Sequence, residues 1–389
     1  MELNRIYLDH NSTTPTDPRV VEAMLPYMHQ TWGNSSSLHL FGREAREGLE
    51  ASRETIASYL NCRPDEIYFT SGGTESDNFA IKGVAYALRE KGKHIITTKI
   101  EHQAVLESCE FLETQGFDVT YLPVDEYGIV RLDELRKSIR DDTILVSVMY
   151  VNNEVGSIQP VDEIGEICAE RNVQFHSDAV QAVGRIPVDL KRTKISLMAT
   201  SAHKIYGPKG VGVIFIRKGS QILPWQTGGH HEDGMRSGTV NVPGIVGYAK
   251  AMQIAVDEMD DTQKRVSALA EDFRMRILES VPDTKFNGHP TKRVMSTVNF
   301  CFRGAEGEAL IVNLDMKGIG ASSGSACTSG STDPSHVLLA MGIPPEIAQS
   351  SVRFSFGRGN TIDDVDYAVM AVKEVVERLR SMSPFYAES

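Results

Sequence analysis

The sequence predicts an α/β fold in which a large, mainly parallel seven-stranded sheet domain is joined to a smaller α+β domain. Short apolar runs alternate with amphipathic helical patterns between residues 65 and 217, which is typical of a parallel sheet covered on both faces. After residue 290 the order changes to strand, helix, Gly/Ser-rich loop, strand and helix. The 389 residues are 41% hydrophobic and 24% charged, so a packed core is expected.

Seven apolar runs predict the strands of the large sheet, because each is short and bounded by polar or Gly-containing segments. They cover residues 66–70, 94–98, 119–124, 143–151, 173–180, 195–202 and 210–216. Helical patterns lie between several of them, at 74–91, 103–115, 131–140 and 161–171, and residues 242–280 look mostly helical. The later elements fall at 294–302, 306–314, 334–341, 351–357 and 362–380. We therefore expect a large domain over 14–260 and a small domain over 1–13 and 261–389.

Charge and cysteine content exclude several classes of function. A net charge of −12 argues against nucleic acid or an anionic membrane as the main partner. No charged N-terminal segment precedes an apolar run and no stretch approaches ~18 apolar residues, so neither a signal peptide nor a membrane span is expected. The five cysteines are odd in number, widely spaced and without a CxxC pair, which argues against disulfides or zinc. A reducing cytoplasm is the expected compartment.

The segment FTSGGTESDNFAIKG, residues 69–83, predicts an anion site. A strand ends, Gly72 and Gly73 turn the chain, and a helix follows, so free backbone N–H groups and the positive helix end would face a phosphate. The hydroxyls of Thr74 and Ser76 could donate further hydrogen bonds. The alternative is an ordinary glycine turn with Thr74 as the N-cap residue.

Two later strand ends carry the groups that would complete a site for pyridoxal phosphate (PLP). Asp178 ends the strand of FHSDAVQ, where α/β folds bind ligands, and could hold a protonated ring nitrogen. Lys204, in TSAHKIYGPKG, lies in a setting that suits an imine-forming lysine. Alone, Asp178 could be a capping residue and Lys204 a solvated lysine. Together with the phosphate turn, they are the three parts that a PLP site requires.

Several other polar residues fit this arrangement. His102 follows a strand, where its imidazole could stack on the ring or carry a proton. Asn153 and Gln181 could bond the ring hydroxyl or the substrate. Arg353 lies within a predicted strand, where a substrate carboxylate or an internal salt bridge would have to pair its charge. Thr239 lies in a Gly-containing loop and could donate to a phosphate.

Residues 320–331, GASSGSACTSGS, place Cys327 in a segment with few packing atoms. A structural cysteine prefers apolar neighbours, whereas Gly and Ser form a loop that bends easily. Cys327 is therefore either incidental or a thiol that the loop carries.

These motifs resemble those of the cysteine desulfurases of the NifS/IscS group. The matching segments run from YLDHNSTTP near residue 7 to RFSFGR near 358, and SAHK and SSGSACTSG are the most specific. The resemblance implies a homodimeric, PLP-dependent enzyme of fold type I. The family usually has Pro where this chain has Ser35, and reads DNNATT over residues 9–14, where this chain reads DHNSTT. Both departures lie near the expected substrate entrance.

The resemblance also assigns roles to individual residues. Lys204 is similar to the Schiff-base lysine, Asp178 to the ring-nitrogen partner and His102 to the proton-handling histidine. The implied cofactor-binding residues are Gly73, Thr74, His102, Asn153, Asp178, Gln181, Ser201, His203, Lys204 and Thr239, the last supplied by the other subunit. The implied substrate-binding residues are Asn34, Asn153 and Arg353. Cys327 is similar to the cysteine that receives sulfur, and it could transiently ligate an iron–sulfur cluster.

The implied activity is the conversion of L-cysteine to L-alanine with a persulfide left on Cys327. The sulfur would pass to an IscU- or NifU-like iron–sulfur scaffold protein or to another acceptor, with no nucleic acid or membrane involved. The alternatives are a selenocysteine lyase or another fold-type I PLP lyase or aminotransferase, and, in a different class, a non-catalytic scaffold. Because Lys204 and Cys327 are both present, the sequence favours the enzyme.

Overall fold

The structure is a computed structural model that describes residues 5–323, 333–383 and 386. Its strands, in chain order, are β1 Ile6–Tyr7, β2 Ile67–Thr70, β3 His94–Thr98, β4 Asp118–Leu122, β5 Thr143–Ser147, β6 Gln174–Asp178, β7 Leu197–Ser201, β8 Gly212–Ile216, β9 Thr284–Asn287, β10 Thr297–Phe302, β11 Ile319–Gly320 and β12 Ser351–Ser355. Its α-helices are α1 Pro18–His29, α2 Leu40–Leu60, α3 Gly73–Leu88, α4 Gln103–Thr114, α5 Leu132–Ser138, α6 Val161–Glu170, α7 Val242–Asp257, α8 Met259–Ser280, α9 Gly307–Asp315, α10 His336–Ala340, α11 Pro345–Ala348 and α12 Ile362–Met382.

The large sheet has seven strands in the order β2-β8-β7-β6-β5-β3-β4. The pairs from β7 through β6, β5 and β3 to β4 are parallel, and β8 is antiparallel to both of its neighbours. Strands β3, β5, β7 and β8 are buried along their whole length, as expected for a sheet covered by helices. The predicted fold class is confirmed. The carboxyl ends of β2, β3, β5, β6 and β7 lie at one edge, where such sheets place their ligand sites.

A second region forms around a three-stranded antiparallel sheet in the order β12-β10-β9. Helices α8 and α12 pack together, and both contribute to an apolar core of their own with β10 and β12. The start of the chain joins this region, because β1 pairs in parallel with β11 and Asp9 bridges to Ser355. The N-terminal segment therefore runs from the second region toward the large sheet. The division into domains 14–260 and 1–13 plus 261–389 stays a prediction.

Several element boundaries differ from the prediction. The runs at 143–151 and 173–180 leave the sheet at Ser147 and Asp178, because the apolar sequence continues into buried loops. The helical stretch 242–280 is two helices, α7 and α8, which meet at Glu258. Helices α1 and α2 were not predicted. Within the described ranges, every helix is too short or too polar to span a bilayer.

Candidate active site

Most of the predicted site residues meet in one cavity of about 370 Å³ at the carboxyl edge of the large sheet. A cavity of this size suits a cofactor or a small ligand. Ten of the predicted residues line it, namely Gly73, Thr74, His102, Asn153, Asp178, Gln181, Ser201, His203, Lys204 and Arg353. We call this cavity the pocket.

The turn between β2 and α3 forms one wall of the pocket. Gly73 begins α3, and a Cβ at this position would lie 2.7 Å from Cγ2 of Val180, so a larger residue would require Val180 to move. Thr74 lies in the first turn of α3, where backbone N–H groups are free to bind an anion. The predicted role of Ser76 is wrong, because its buried hydroxyl hydrogen-bonds Thr70 Oγ1 and the Gly72 carbonyl, at 2.7 and 3.0 Å.

Asp178 ends β6 at the base of the pocket and is 6% exposed. Its Oδ1 accepts a hydrogen bond from the N–H of Val180 at 2.9 Å. Burial raises the pKa of Asp178, while His102, that N–H and Lys204 oppose the shift by favouring the carboxylate. A cation placed against Asp178 would therefore be bound strongly.

Asp77 is a second buried acid that lines the pocket, and the sequence prediction did not include it. Burial and the negative charges of Asp178 and Glu101 raise its pKa well above the ordinary value. Its Oδ1 lies 3.4 Å from Nε2 of His176, which is also fully buried. Asp77 follows Gly73 by four residues, so the helical repeat places both on one face of α3, a signal that could have identified it.

Lys204 follows β7 in a short 3₁₀ turn, Ala202–Lys204. Its Nζ donates hydrogen bonds to the backbone carbonyls of Asn11 and Ser12, at 2.6 and 2.7 Å. The neighbouring His203 has a pKa lowered to about 4 by burial, with Lys204 and Lys209 adding repulsion. Its imidazole is therefore neutral near pH 7, and its Nδ1 lies 3.1 Å from Thr13 Oγ1.

His102 has a structural role as well as a place in the pocket. It is the N-cap residue of α4, and its Nδ1 accepts a hydrogen bond from the Ala104 N–H at 3.1 Å. That bond assigns the ring proton to Nε2, because one neutral ring nitrogen cannot both accept and carry the proton. The helix cap therefore fixes the tautomer of a pocket histidine.

Arg353 lies in the middle of β12 and is 2% exposed. Its Nη2 donates to Oδ1 of Asp9 and to the Ser12 hydroxyl, both at 2.8 Å, and its Nη1 donates to the Asn153 carbonyl at 2.9 Å. The internal salt bridge considered for this residue is therefore present. Its Nε is buried without a hydrogen-bond partner. A guanidinium held in this way is ready to bind a carboxylate in the pocket.

Gln181 supplies a buried acceptor to the pocket. Its Nε2 donates to the Asn11 carbonyl at 2.9 Å, while its Oε1 is buried without a partner. An unpaired buried acceptor is costly unless a ligand donates to it. Asn153 also lines the pocket, and its carbonyl accepts from both Arg353 and Asn11.

Three predicted residues are not part of the pocket in the single chain. Asn34 is exposed in the loop between α1 and α2, where its Oδ1 accepts from the Ser36 N–H at 2.9 Å. Thr239 is exposed and lines a different depression beside Thr70 and Ser71. Cys327 lies outside the described residues.

Asn11 and Ser12 line the pocket, and neither was predicted as a site residue. Both belong to the segment that the sequence marks only as a departure from the family pattern. Met149, Val151 and Val180 add apolar surface and were also missed. The apolar runs that contain them predicted strand, and nothing in their spacing indicated a pocket wall.

Comparisons with known proteins agree with this geometry. The family model described as aminotransferase class-V matches residues 6–368. The cysteine desulfurase IscS of Methanosarcina thermophila is 52% identical over 383 residues, which cover 98% of this chain and 95% of the relative. The human cysteine desulfurase is 50% identical over 387 residues, 99% of this chain and 84% of the relative. A solved NifS-like protein superposes with a TM-score of 0.91 and 40% identity, covering 96% of this chain and 100% of that chain.

Proposed function

The chain belongs to the class-V aminotransferase family, and from this premise we propose that it is a cysteine desulfurase that uses PLP to convert L-cysteine to L-alanine. One observation supports the proposal most directly. The anion-binding turn, the buried carboxylate of Asp178 and the lysine Lys204 all line the same pocket. Relatives that are about 50% identical over nearly the whole chain are named cysteine desulfurase.

The pocket fits PLP by three independent features. Gly73 lets the start of α3 pack against Val180, and the N–H groups of that first turn and the Thr74 hydroxyl would hold the phosphate group. Asp178 would hold a protonated ring nitrogen, and the unpaired Oε1 of Gln181 would accept a hydrogen bond from a ring hydroxyl. When bound, PLP would act as an electron sink for the substrate carbon next to the nitrogen.

Three side chains of the pocket would bind the substrate and transfer its protons. Arg353 would bind the substrate carboxylate, and its three protein acceptors keep the guanidinium in place. Lys204 would remove the Cα proton, because its amine enters the pocket from the sheet edge. His102, whose tautomer the helix cap fixes, would manage the proton of the substrate thiol.

Cys327 is the proposed sulfur acceptor. The C–S bond of cysteine breaks, an S–S bond to Cys327 forms, and protons return to the carbon, so cysteine plus thiol gives alanine plus persulfide without an added oxidant. The four described cysteines suit this task poorly. Burial raises the pKa of each of them, to about 12 for Cys62 and Cys168, and none lines the pocket.

The deciding experiment is to incubate the PLP-loaded protein with L-cysteine, quantify alanine and map the persulfide by mass spectrometry. We expect stoichiometric alanine and a persulfide on Cys327. The matched control is Cys62→Ser, which should behave as the wild type because Cys62 is half-buried and remote from the pocket. A persulfide on Cys62, or alanine formation without any protein persulfide, would contradict the assignment. Selenocysteine and 2-oxoacids, supplied in parallel, test the lyase and aminotransferase alternatives.

We also propose that the enzyme is a homodimer. Large exposed apolar side chains cluster between α1 and the start of α2, namely Leu25, Met28, Trp32, Leu38, Leu40 and Phe41. Exposed apolar clusters of this kind mark interfaces, and a second subunit would also explain why Thr239 lies outside its own pocket. Trp32→Glu should yield monomers in sedimentation, whereas Met370→Glu, at another exposed site on α12, should not. A monomeric wild type would refute the homodimer.

The sulfur acceptor is proposed to be an iron–sulfur scaffold protein or another thiol-containing carrier in a reducing cytoplasm. The described cysteines are all free thiols, as that compartment requires. Radiolabelled persulfide on the enzyme should transfer to such a scaffold when the two are mixed. If label stays on the enzyme with every candidate acceptor, the transfer role is wrong.

A further inference from the structure

A second, smaller cavity is lined by Lys204 as well, together with residues that do not line the pocket. Its volume is about 30 Å³. It lies between the loop that follows β6, the start of α8 and the segment that follows β12. Two arginines, Arg185 and Arg358, line it together with His10, and no Asp or Glu side chain does so. We call it the Arg185 cavity. Its lining is therefore strongly biased toward positive charge and hydrogen-bond donors.

Arg185 has no acidic partner in the described part of the chain. Its guanidinium donates to two neutral acceptors, Oδ1 of Asn11 at 2.5 Å and the His10 carbonyl at 3.4 Å. Burial lowers the pKa of Arg185 to about 10, and repulsion from Arg353 adds to the shift. Buried charges in proteins are normally paired. The described residues therefore give Arg185 neutral acceptors only and leave its charge uncompensated.

Two further groups offer unused hydrogen-bonding capacity beside Arg185. Arg358 is balanced by Asp17 and Glu258, at 3.4 and 3.8 Å, yet its Nε is buried without a partner. His10 is 4% exposed, and its Nδ1 is likewise buried without a partner. Burial and the charge of Arg185 lower the pKa of His10 to about 4, so its ring is neutral near pH 7 and adds no charge to the cavity.

The size of the cavity restricts what can bind there. About 10–15 Å³ is the minimum for one water molecule, so about 30 Å³ admits a monatomic ion or one or two waters. Phosphate, sulfate and carboxylate-bearing metabolites are larger than this space. A neutral water would leave the charge of Arg185 uncompensated, whereas a monatomic anion would satisfy both the charge and the donors.

We propose that the Arg185 cavity binds one small monovalent anion of the chloride type as the counter-ion of Arg185. The bound anion would accept hydrogen bonds from Arg185 and from the unpaired Nε of Arg358. It would also act on the pocket, because Arg185 holds the side chain of Asn11, whose carbonyl accepts from Lys204. An anion bound in the Arg185 cavity would therefore help to hold Lys204 in position through Arg185 and Asn11.

The test compares chloride with gluconate, an organic anion too large for the cavity, at constant ionic strength. The thermal unfolding of the PLP-loaded protein is followed as one anion replaces the other. Chloride at ten times its Kd should lower the unfolding equilibrium constant about tenfold, and the effect should grow with the logarithm of the chloride concentration above that point. Arg185→Gln should abolish the difference between the two salts. Equal stability of the wild type in chloride and gluconate would overturn the proposal.

The control is Arg293→Gln, which removes a buried arginine that has a carboxylate partner, Glu271 at 3.2 Å. This variant should be less stable but should keep the full chloride effect. A chloride effect that survives Arg185→Gln would show that the anion binds elsewhere.

Bromide diffraction on the wild type tests the site directly, whether or not the variants fold. We expect an anomalous peak within hydrogen-bonding distance of Arg185, and a bromide-free cavity would refute the site. The proposal does not depend on the desulfurase activity, so the failure of one leaves the other standing.

Discussion

Replacing Asn11 by Ala is expected to destabilise the protein and disturb the pocket together. Asn11 is 2% exposed, and its side chain joins three parts of the fold. Its Oδ1 accepts from Arg185 at 2.5 Å, and its Nδ2 donates to the Asn153 carbonyl at 3.0 Å and to Thr297 Oγ1 at 2.9 Å. Its backbone carbonyl accepts from Lys204. The substitution removes all three side-chain bonds and frees the carbonyl to move.

The magnitude follows from the bond types. A hydrogen bond from a charged donor contributes about 1.5–3 kcal/mol and a neutral one about 1 kcal/mol, so the loss should be roughly 3–5 kcal/mol. That is a large share of the ~5–15 kcal/mol by which a domain is stable. The matched control is Asn287→Ala, a buried asparagine whose Nδ2 donates to Asn299 Oδ1 and contacts Cys301 Sγ, at 2.8 and 3.1 Å. Two neutral bonds predict about 1–2 kcal/mol there.

Urea unfolding of the PLP-loaded protein measures the two losses, and the absorption band of the bound cofactor reports on Lys204. We expect Asn11→Ala to lose at least twice as much stability as Asn287→Ala, and to shift the cofactor band or its pH dependence. Asn287→Ala should leave the band unchanged. Equal losses of stability in the two variants, or a cofactor band of Asn11→Ala that matches the wild type, would refute this role of Asn11.

Four further predictions follow from the site. Lys204→Ala should give no covalent pyridoxyl adduct at residue 204 after borohydride reduction, as judged by mass spectrometry. Cys327→Ser should still bind PLP and perturb its spectrum on adding cysteine, yet release no sulfide in a colorimetric assay. Asp178→Asn should lower the activity by at least ~100-fold in steady-state assays. Asp77→Asn should keep its activity within about tenfold of the wild type, because an asparagine resembles the protonated acid. The lowered pKa of His10, about 4, means that the unfolded state binds more protons between pH 6.5 and 4. The free energy of unfolding should therefore decrease as the pH is lowered through that window. At pH 5 this residue should account for a loss of about 2 kcal/mol, and His10→Gln should make the loss smaller in urea titrations.

The large sheet could be predicted because its strands are short, apolar and separated by helical patterns. Helix α2 was overlooked although its buried residues, such as Ala45, Leu49 and Ile56, follow the helical repeat. Helix α1 was missed because its apolar residues do not form one clean face. Val20 is the sole α1 residue that is buried, while Leu25 and Met28 are exposed on the same helix. Such exposure blurs the 3.6-residue period by which helices are recognised in a sequence.

The site residues, like the helices and strands, include some that the sequence could predict and some that it could not. Thr74, Asp178 and Lys204 could be predicted because each lies at or soon after the end of a strand, and parallel strands bring their carboxyl ends to one edge. Asn11 and Ser12 could not, because the residue they hold, Lys204, lies more than 190 positions away in the chain. No local pattern records such a contact. The fold alone brings the N-terminal segment against the sheet edge.

The pocket separates its charges in a way that matches the chemistry proposed for it. Asp77 and Asp178 are both buried, and their mutual repulsion makes it unfavourable for both to ionise. Asp178 faces His102 and Lys204 and accepts a backbone N–H, so the negative charge is favoured at Asp178 over Asp77. Arg353 supplies the opposite charge elsewhere in the pocket. A ligand that is cationic where it meets Asp178 and anionic where it meets Arg353 is therefore favoured, which a pyridinium ring and an amino-acid carboxylate together provide.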